Sequence, residues 1–277
     1  MPNMERSIEF NPEKIKAFFL DMDGVMYSGS SEIGNLHDIF QKIEKAGILP
    51  LFGTNNASRT PAEYVEKMRE FGVETKPDQF FTSSVGTVHI LRTHYPSSVR
   101  LHVFGSAALK KFLVSEGFSL VDDHANVVIA SLDKEMTYQK VADAMRNVEE
   151  GADFIATNTD STLASEKGWL PGGGVMVNTV ETCTGKKPFV IGKPNTIMID
   201  MARNAYNLKP EEILVVGDRY ETDILCGIND GAQTALVLTG YETRESVLKY
   251  AVQPNIICKD FDAVVDLIIN ERNNEHR

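Results

Sequence analysis

Short apolar runs alternate along the chain with segments whose apolar residues recur at helical spacing. The first run, Ala17 to Leu20, contains no polar residue, which is typical of a strand covered on both faces in a parallel sheet. Further strands are predicted at residues 48–52, 189–191, 213–216, 235–238 and 255–258. Strands that alternate with helices in this way predict an α/β fold with a doubly wound, Rossmann-like parallel sheet.

Stripes at helical spacing predict where the intervening helices begin and end. One stripe covers residues 33–46, and Gly47 after it predicts the end of a helix. The stretch from Thr60 to Glu63 has the pattern of a capping box with proline at the first helical position, which predicts the start of the next helix. The last helix is predicted at 261–269, and a polar tail follows over 271–277.

The stretch between residues 84 and 187 contains enough strands and helices to form a sheet of its own. Strands are predicted at 99–104, 127–130 and 154–156, and a glycine-rich loop from Trp169 to Gly174 precedes a helix near 177–183. We therefore expect a second α/β domain, residues 86–187, inserted into a core formed by residues 1–85 and 188–277.

The composition narrows the classes of partner and compartment. The 277 residues carry a net charge of −11, which argues against nucleic acid as a partner because its binders normally present a basic face. No apolar run is long enough to cross a membrane, and residues 1–10 lack the apolar core of a signal peptide. Cys183, Cys226 and Cys258 are widely separated, so we expect buried thiols in a reducing, cytoplasmic compartment.

Polar residues of chemical interest occur where the predicted strands end. They are Asp21, Asp23 and Gly24; Thr54, Asn55 and Asn56; Lys193; and Asp218 and Asp223. Because parallel strands of one sheet end at a common edge, these residues can converge although they are far apart in the sequence. Two carboxylates about 4 Å apart repel by roughly 4 kcal/mol at an effective dielectric constant near 20, so we expect a cation among the acids.

The residue types in this set favour phosphoryl chemistry at a magnesium ion. Acidic oxygens around a small site are typical ligands of Mg²⁺, whereas zinc would require clustered His or Cys. Lysine, hydroxyl and amide groups donate hydrogen bonds, as the oxygens of a phosphoryl group require. One carboxylate can attack phosphorus to form an aspartyl phosphate. A second can act as acid and base, which typically contributes about 10²–10⁴ in rate.

Four short motifs resemble those of the haloacid dehalogenase superfamily. In order they are Asp21-Met22-Asp23-Gly24-Val25, Thr54-Asn55-Asn56, Gly192-Lys193-Pro194, and Gly217-Asp218-Arg219 with Asp223. The insert between the second and third motifs is similar to the C2-type cap of the 4-nitrophenylphosphatase-like phosphatases. The resemblance covers residues 14–269 and implies a phosphatase whose cap determines substrate specificity.

The resemblance implies a role for each motif residue. The expected catalytic residues are Asp21 as nucleophile, Asp23 as acid/base, and Lys193, which neutralises the intermediate. The expected Mg²⁺ ligands are Asp21, the backbone carbonyl of Asp23, Asp218 and, in support, Asp223. The expected phosphate- and substrate-binding residues are Gly24, Thr54, Asn55, Asn56, Asn158 and Asp160.

The reaction predicted from this resemblance is hydrolysis of small phosphate monoesters, such as sugar phosphates, nucleoside monophosphates or 4-nitrophenyl phosphate. A phosphomutase or phosphotransferase of the same superfamily would use the same aspartyl phosphate. A phosphorylation-dependent receiver and a metabolite-binding pseudoenzyme are rivals from other classes. The resemblance also allows a homodimer through the cap, and it leaves open the roles of Arg59, Arg219 and Glu221.

Overall fold

The computed structural model describes residues 9–165 and 168–275, and the chain divides into two compact units. The first unit contains the described residues up to Gly53, the segment Tyr64–Phe81, and the described residues from Lys193 onward. The second unit contains Thr54–Glu63 and the described part of Thr82–Gly192. Each unit has its own sheet and its own hydrophobic core.

The described chain forms strands and helices in an order close to the predicted one. The strands are β1 (Ala17–Leu20), β2 (Tyr27–Ser28), β3 (Ser31–Glu32), β4 (Leu49–Thr54), β5 (Phe80–Thr82), β6 (Arg100–Phe104), β7 (Ser119–Leu120), β8 (Val127–Ala130), β9 (Asp153–Ala156), β10 (Thr162–Ser165), β11 (Gly168–Pro171), β12 (Phe189–Val190), β13 (Ile213–Gly217), β14 (Gln233–Val237) and β15 (Ile256–Cys258). The helices are α1 (Leu36–Lys45), α2 (Pro61–Glu70), α3 (Ser83–His94), α4 (Ala107–Ser115), α5 (Tyr138–Glu149), α6 (Gly173–Thr184), α7 (Ile197–Tyr206), α8 (Leu225–Asp230), α9 (Arg244–Val247) and α10 (Phe261–Glu275).

The first unit is built on a six-stranded sheet in the order β15-β14-β13-β1-β4-β5. Strand β1 pairs in parallel with both β13 and β4, and β14 pairs in parallel with β13 and β15. The chain winds from β1 to one side of the sheet and later returns to the other side. The predicted doubly wound sheet is therefore confirmed, and β1 lies where the strand order reverses, which is the usual place for a ligand.

Strand β1 is buried on both faces, as its unbroken apolar run predicts. Phe18 and Leu20 pack in a cluster with residues of α1, α2 and α10, whereas Ala17 and Phe19 pack on the other face against α7. A buried side chain of this size stabilises the fold by about 1.5–3 kcal/mol. The carboxyl end of β1, where Asp21 follows, is therefore held by a packed core on both sides.

The sequence signals locate the start of α2 correctly and the end of the last helix incorrectly. Helix α2 begins at Pro61, and Thr60 and Glu63 form the predicted capping box, in which Thr60 N–H donates to Glu63 Oε2 at 2.7 Å and Glu63 N–H donates to Thr60 Oγ1 at 3.3 Å. Helix α10 continues to Glu275, so the polar tail predicted from residue 271 is wrong as far as residue 275. Residues 276–277 lie outside the described residues.

The second unit contains a five-stranded, wholly parallel sheet in the order β12-β9-β8-β6-β7. Helices α5 and α6 contribute buried residues to the core on this sheet. Strand β12 pairs with β9, so the strand predicted at 189–191 belongs to this sheet. Part of the predicted glycine-rich loop is instead strand β11, which pairs with β10, and α6 begins at Gly173, before the predicted start near residue 177.

Two further expectations concern cysteines and membranes. Cys226 and Cys258 are buried thiols, but Cys183 is exposed in the last turn of α6, so the expectation of three buried thiols is wrong at that position. Among the described residues, no helix has the length and apolar character that crossing a membrane would require.

Candidate active site

Three carboxylates converge at the carboxyl edge of the sheet in the first unit. Asp21 follows β1, and its N–H donates to the carbonyl of Val216 in β13 at 2.9 Å. Asp218 follows β13 directly, and Asp223 lies in the π-helical turn that precedes α8. One carboxylate oxygen from each of these three residues lies within 4.8 Å of the others. The structure therefore brings together three of the four predicted metal ligands.

Lys193 is the cation within this acidic cluster. Its Nζ lies 2.6 Å from Asp21 Oδ1 and 2.6 Å from Asp223 Oδ1, and it also donates to the carbonyl oxygen of Gly53 at 2.6 Å. The side chain is only 2% exposed. Burial alone would lower the pKa of Lys193, but the two adjoining carboxylates outweigh burial and raise that pKa above its ordinary value. Lys193 is therefore a fixed positive charge.

Backbone groups and glycines hold Asp218 in place. The N–H of Tyr241 donates to Asp218 Oδ2 at 2.7 Å. Gly24 has a φ of +88°, and a Cβ at this position would lie 2.7 Å from Asp218 Cγ. A Cβ at Gly240 would also collide with the Asp218 carboxylate. Gly24 is thus required for the close approach of the turn to Asp218, as well as for its left-handed backbone conformation.

The cluster carries more negative charge than its lysine compensates. Burial raises the pKa of Asp21 well above its usual value, and the carboxylates of Asp223 and Asp218 add to this rise although Lys193 opposes it. Burial and the neighbouring Asp223 raise the pKa of Asp218 to about 7, against the lowering effect of the Tyr241 N–H. Both shifts have the same physical cause, because ionised carboxylates are crowded in a region from which water is largely excluded.

This donor set fits a magnesium ion. Mg²⁺ binds oxygen ligands at about 2.0–2.1 Å, so two ligands on opposite sides of the ion are roughly 4.2 Å apart, and the three carboxylate oxygens lie within 4.8 Å of one another. The cluster consists of carboxylates, and the described residues add no His or Cys to it, as a zinc site would require. A divalent cation would also relieve the repulsion that raises the pKa values of Asp21 and Asp218.

Asp23 is not part of the three-carboxylate group. It is half-buried and forms an isolated bridge with Tyr27, and the following residue, Gly24, donates its N–H to the Tyr27 carbonyl at 2.8 Å. Its expected roles, as acid/base and as a metal ligand through its backbone carbonyl, stay predictions.

Three of the predicted binding residues meet in the second unit. Asp160 Oδ2 accepts hydrogen bonds from Asn55 Nδ2 at 2.9 Å and from Asn158 Nδ2 at 2.6 Å. The Asn55 backbone is also held, because its carbonyl accepts a hydrogen bond from Ser83 Oγ at 2.7 Å. Asn55 and Asn158 are buried. Their amides therefore have defined orientations.

The other predicted residues of the second motif make local contacts. Thr54 is buried, and its Oγ1 accepts a hydrogen bond from Asn56 N–H at 3.2 Å. Asn56 Oδ1 accepts hydrogen bonds from the N–H and the hydroxyl of Ser58, at 3.0 and 2.6 Å. This side chain thus stabilises a turn within the second unit. Arg59 in the same turn is exposed.

The residues whose roles were open in the sequence occupy different surroundings. The guanidinium group of Arg219 lies over the ring of Tyr241, with 4.2 Å between Arg219 Cζ and the ring centroid. The backbone N–H of Arg219 donates to Asp223 Oδ2 at 3.1 Å. Glu221 is exposed. Arg219 is therefore fixed beside the carboxylate cluster.

Sequence reasoning missed three backbone groups that hold residues of the candidate site. The carbonyl of Gly53 accepts a hydrogen bond from Lys193 Nζ, and the N–H of Tyr241 donates one to Asp218. The carbonyl of Gly24 accepts a hydrogen bond from Thr239 Oγ1 at 2.5 Å. One signal was present. Thr239, Gly240 and Tyr241 follow a predicted parallel strand, and the rule that ligands gather at such ends applies to them as well.

Comparisons with known proteins agree across nearly the whole chain. A family model described as haloacid dehalogenase-like hydrolase matches residues 18–119, and a HAD-hydrolase-like model matches residues 190–264. A protein named acid sugar phosphatase from Staphylococcus epidermidis is 35% identical over 251 residues, which cover 90% of this chain and 96% of that protein. An acid sugar phosphatase from Staphylococcus aureus is also 35% identical, covering 91% and 98% of the two chains.

Solved structures give the same result. A 4-nitrophenylphosphatase from Thermotoga maritima matches with a TM-score of 0.87 and 30% identity over 93% of this chain and 98% of that one. A p-nitrophenyl phosphatase from Archaeoglobus fulgidus matches with a TM-score of 0.85 and 27% identity, covering 91% and 99% of the two chains.

Proposed function

Because this chain belongs to the haloacid dehalogenase-like hydrolase family and is a phosphatase of that family, we propose that it hydrolyses small phosphate monoesters through a phosphorylated Asp21, with Mg²⁺ as its metal. The observation that carries this proposal is the cluster of Asp21, Asp218 and Asp223 around the charged Lys193. It combines a nucleophile, a set of metal ligands and a fixed cation in one place.

In the first step, an Asp21 oxygen attacks phosphorus, and the bond from phosphorus to the ester oxygen breaks. Lys193 holds Asp21 Oδ1 at 2.6 Å, so it fixes the orientation of the carboxylate for attack by the other oxygen. Since the pKa of Lys193 is raised, it keeps its proton and acts as a positive charge. When bound to the cluster, Mg²⁺ supplies further positive charge for the phosphoryl oxygens.

Asp23 is the proposed acid and base. Protonated Asp23 gives its proton to the leaving ester oxygen, which departs as the alcohol. The resulting carboxylate then takes a proton from the water that attacks the aspartyl phosphate, and this second displacement releases phosphate and regenerates Asp21. Its position two residues after the nucleophile, at the turn that begins with Gly24, supports this assignment.

The phosphoryl oxygens are assigned to donors of the second motif. Thr54 and Asn55 follow Gly53 directly, and the Gly53 carbonyl binds Lys193. The names of the relatives support small phosphate monoesters, sugar phosphates among them, as substrates. We assign the selection of the organic group to the second unit, whose sequence forms the insert between the second and third motifs.

Hydrolysis of 4-nitrophenyl phosphate by the purified protein tests the proposal. We expect activity with Mg²⁺, its loss in excess EDTA and its recovery when Mg²⁺ is restored. Asp21→Asn should lower kcat by at least about 10³-fold because the amide is a poor nucleophile. The matched control is Asp266→Asn, which changes an exposed aspartate of the same unit and should leave kcat unchanged. Full activity in folded Asp21→Asn would falsify the nucleophile assignment.

A second measurement separates hydrolysis from transfer to another hydroxyl. Mass spectrometry of protein quenched in acid during turnover should detect one added phosphoryl group, which Asp21→Asn should lack. A phosphatase releases one inorganic phosphate for each alcohol formed, whereas a phosphomutase retains the phosphoryl group on an organic product. A clear deficit of inorganic phosphate would therefore favour the mutase.

A further inference from the structure

Asp160 is half-buried and accepts hydrogen bonds from two side-chain amides of the second unit. One of its oxygens, Oδ2, accepts a hydrogen bond from Asn55 and another from Asn158. Asn55 is 105 residues away in the sequence, so this contact joins the segment that follows β4 to the segment that follows β9. The chain therefore uses a carboxylate to connect the second motif to the parallel sheet of the second unit.

The segment that carries Asp160 is held by further hydrogen bonds. Ser131 and Thr157 hydroxyl oxygens are 2.8 Å apart, and Thr157 Oγ1 lies 3.0 Å from Asn158 Oδ1. The Thr157 hydroxyl, which carries a single hydrogen, lies within donating distance of both Ser131 Oγ and Asn158 Oδ1, and the Asn158 amide nitrogen donates to Asp160. The Asn158 amide is therefore held at its oxygen and at its nitrogen.

The glycine-rich stretch at the start of α6 packs directly on this network. A Cβ at Gly173 would lie 2.6 Å from Asn158 Oδ1, and Cβ atoms at Gly172 and Gly174 would collide with backbone carbonyls of Asp160 and Thr159. The N–H of Gly174 also donates to the Asp160 carbonyl at 2.9 Å. These glycines are therefore explained by close packing against residues 158–160.

Asn55 is enclosed on a second side by Gly192. A Cβ at that position would lie 2.5 Å from Asn55 Oδ1, so the glycine before Lys193 leaves room for the amide. With one amide hydrogen on Asp160 and the amide oxygen beside Gly192, the plane of the Asn55 amide is fixed. The direction of its second N–H is then fixed too, because an amide group is planar.

An ionised carboxylate is a poor ligand for a phosphate group. It has no hydrogen to donate, and phosphate oxygens accept hydrogen bonds, so the two groups repel. Asp160 was expected to bind substrate or phosphate, but one of its carboxylate oxygens accepts hydrogen bonds from two amides, for which a carboxylate is a good acceptor.

We propose that Asp160 is a positioning residue, which orients the amide of Asn55 for the phosphoryl group and does not itself touch the substrate. This inference rests on the proposed function, in which Asn55 binds a phosphoryl oxygen. Its chemical consequence is that removal of Asp160 should affect every phosphate monoester equally, because all of them share the phosphoryl group.

The test is a double-mutant cycle between Asn55 and Asp160. Asp160→Ala should lower kcat/KM by about 10- to 100-fold, as expected when a binding group is misplaced. Asn55→Ala should have a similar effect, and the double variant should be no worse than Asn55→Ala alone because both changes remove the same interaction. Additive losses in the double variant would overturn the proposal.

The conservative variant Asp160→Asn distinguishes hydrogen bonding from charge. A single carboxylate oxygen, Asp160 Oδ2, accepts the hydrogen bonds from both amides. The side-chain oxygen of Asn can accept the same two hydrogen bonds, so we expect kcat/KM within about threefold of the parent. If Asp160→Asn loses as much activity as Asp160→Ala, the charge itself is required and the positioning role is wrong. This variant also keeps the test decisive if Asp160→Ala does not fold.

A comparison of two substrates tests whether Asp160 contacts the organic group directly. The loss in Asp160→Ala should be the same for 4-nitrophenyl phosphate and for a hexose 6-phosphate, and the inhibition constant of inorganic phosphate should rise as it does in Asn55→Ala. A loss confined to the hexose phosphate would mean that Asp160 binds sugar hydroxyls, which contradicts the proposal. Asp143→Asn is the matched control, because Asp143 on α5 also accepts a hydrogen bond from a side-chain amide, that of Gln139, at 2.8 Å. This control variant should leave kcat/KM unchanged.

Asp21→Asn, measured in the same assays, separates this inference from the proposed function. If that variant keeps its activity, the aspartyl-phosphate mechanism has failed, whatever the outcome at Asp160. If Asp21→Asn is inactive but the Asn55 and Asp160 effects are additive, the mechanism stands and only the positioning role is overturned.

Discussion

Each unit places a polar cluster where parallel strands end, but the two clusters are built on opposite principles. In the first unit, Asp21 and Asp223 are both paired with Lys193, and the carboxylate of Asp218 lies in the same cluster. In the second unit, two side-chain amides donate hydrogen bonds to Asp160. Burial and mutual repulsion raise the pKa values of Asp21 and Asp218, so the first cluster has an unmet requirement for positive charge.

The two clusters show that the ends of parallel strands can hold either a group of charges that favours cation binding or a hydrogen-bonded network that fixes side-chain orientation. A cluster with excess negative charge is unfavourable on its own and becomes favourable when a cation binds. A cluster whose donors and acceptors match is favourable already and contributes rigidity. We therefore expect substitutions in the first cluster to change stability and metal response, and substitutions in the second to change geometry.

The largest effect is expected for Lys193→Met. Removing the buried cation leaves Asp21 and Asp223 unpaired, and breaking a buried ion pair in this way typically costs about 3–5 kcal/mol. We expect a loss of that order in the free energy of unfolding, measured with urea in EDTA, together with loss of phosphatase activity.

Lys42→Met is the matched control for this variant. Lys42 also bridges two carboxylates, Asp262 at 2.6 Å and Asp266 at 2.7 Å, but its side chain is 37% exposed. Exposed pairs of this kind contribute about 0–1 kcal/mol, so a small effect is expected. Equal losses in the two lysine variants would contradict the claim that burial makes the first cluster different.

An intermediate effect of opposite sign is expected for Asp218→Asn. In EDTA the free energy of unfolding of the variant should exceed that of the parent by about 1–2 kcal/mol, because one repelling charge is removed. The amide oxygen of the Asn side chain can still accept the hydrogen bond from the Tyr241 N–H. Added Mg²⁺ should raise the unfolding temperature of the parent and have much less effect on the variant.

Asp160→Asn provides the comparison from the second cluster. Because the Asp160 carboxylate is already matched by donors, its replacement should not stabilise the protein in EDTA and should leave the response to Mg²⁺ unchanged. If Asp218→Asn lowers the unfolding temperature in EDTA, the repulsion inferred for the first cluster is absent.

The sequence predicted the parts of the site that side-chain type and strand ends reveal. Asp21 follows an unbroken apolar run, and Lys193 lies between glycine and proline at the end of another, so both were identified from local pattern. The contact between Asn55 and Asp160 was not predicted, because it depends on how two distant segments of the second unit align. Tyr241 was missed for another reason: it binds Asp218 through its backbone N–H, which every residue except proline possesses.

Strand β12 shows the same limit for the fold. Its two residues, Phe189 and Val190, are apolar enough for either sheet, and the sequence around them contains no signal that selects a partner. The structure pairs them with β9, so the second unit extends to Gly192, the residue before Lys193 in the sequence. Short strands carry too few side chains for their pattern to specify a neighbour.

The smallest expected effect concerns Asp230, a carboxylate in the first unit outside the carboxylate cluster. Its side chain is fully buried at the end of α8, and Arg203 Nε lies 2.9 Å from Asp230 Oδ1. Burial raises the pKa of Asp230 to about 6, and the nearby carboxylate of Asp200 adds to the rise, although Arg203 opposes it. Because this pKa is higher in the folded than in the unfolded protein, the folded state binds the proton more tightly, and protonation stabilises it.

The Asn side chain of Asp230→Asn does not titrate, so this variant is the reference. The free energy of unfolding of the parent should increase relative to that of the variant as the pH falls from about 7.5 to about 5. The measurement is the difference between their unfolding temperatures across this range in EDTA, and a change of a few degrees is expected. A difference that does not vary with pH would mean that burial leaves the Asp230 carboxylate unperturbed when Arg203 and Asp200 are its charged neighbours. The raised pKa values of Asp21 and Asp218 would then have to come from repulsion among the acids of their cluster, and the contrast between the two clusters would depend on their charge alone.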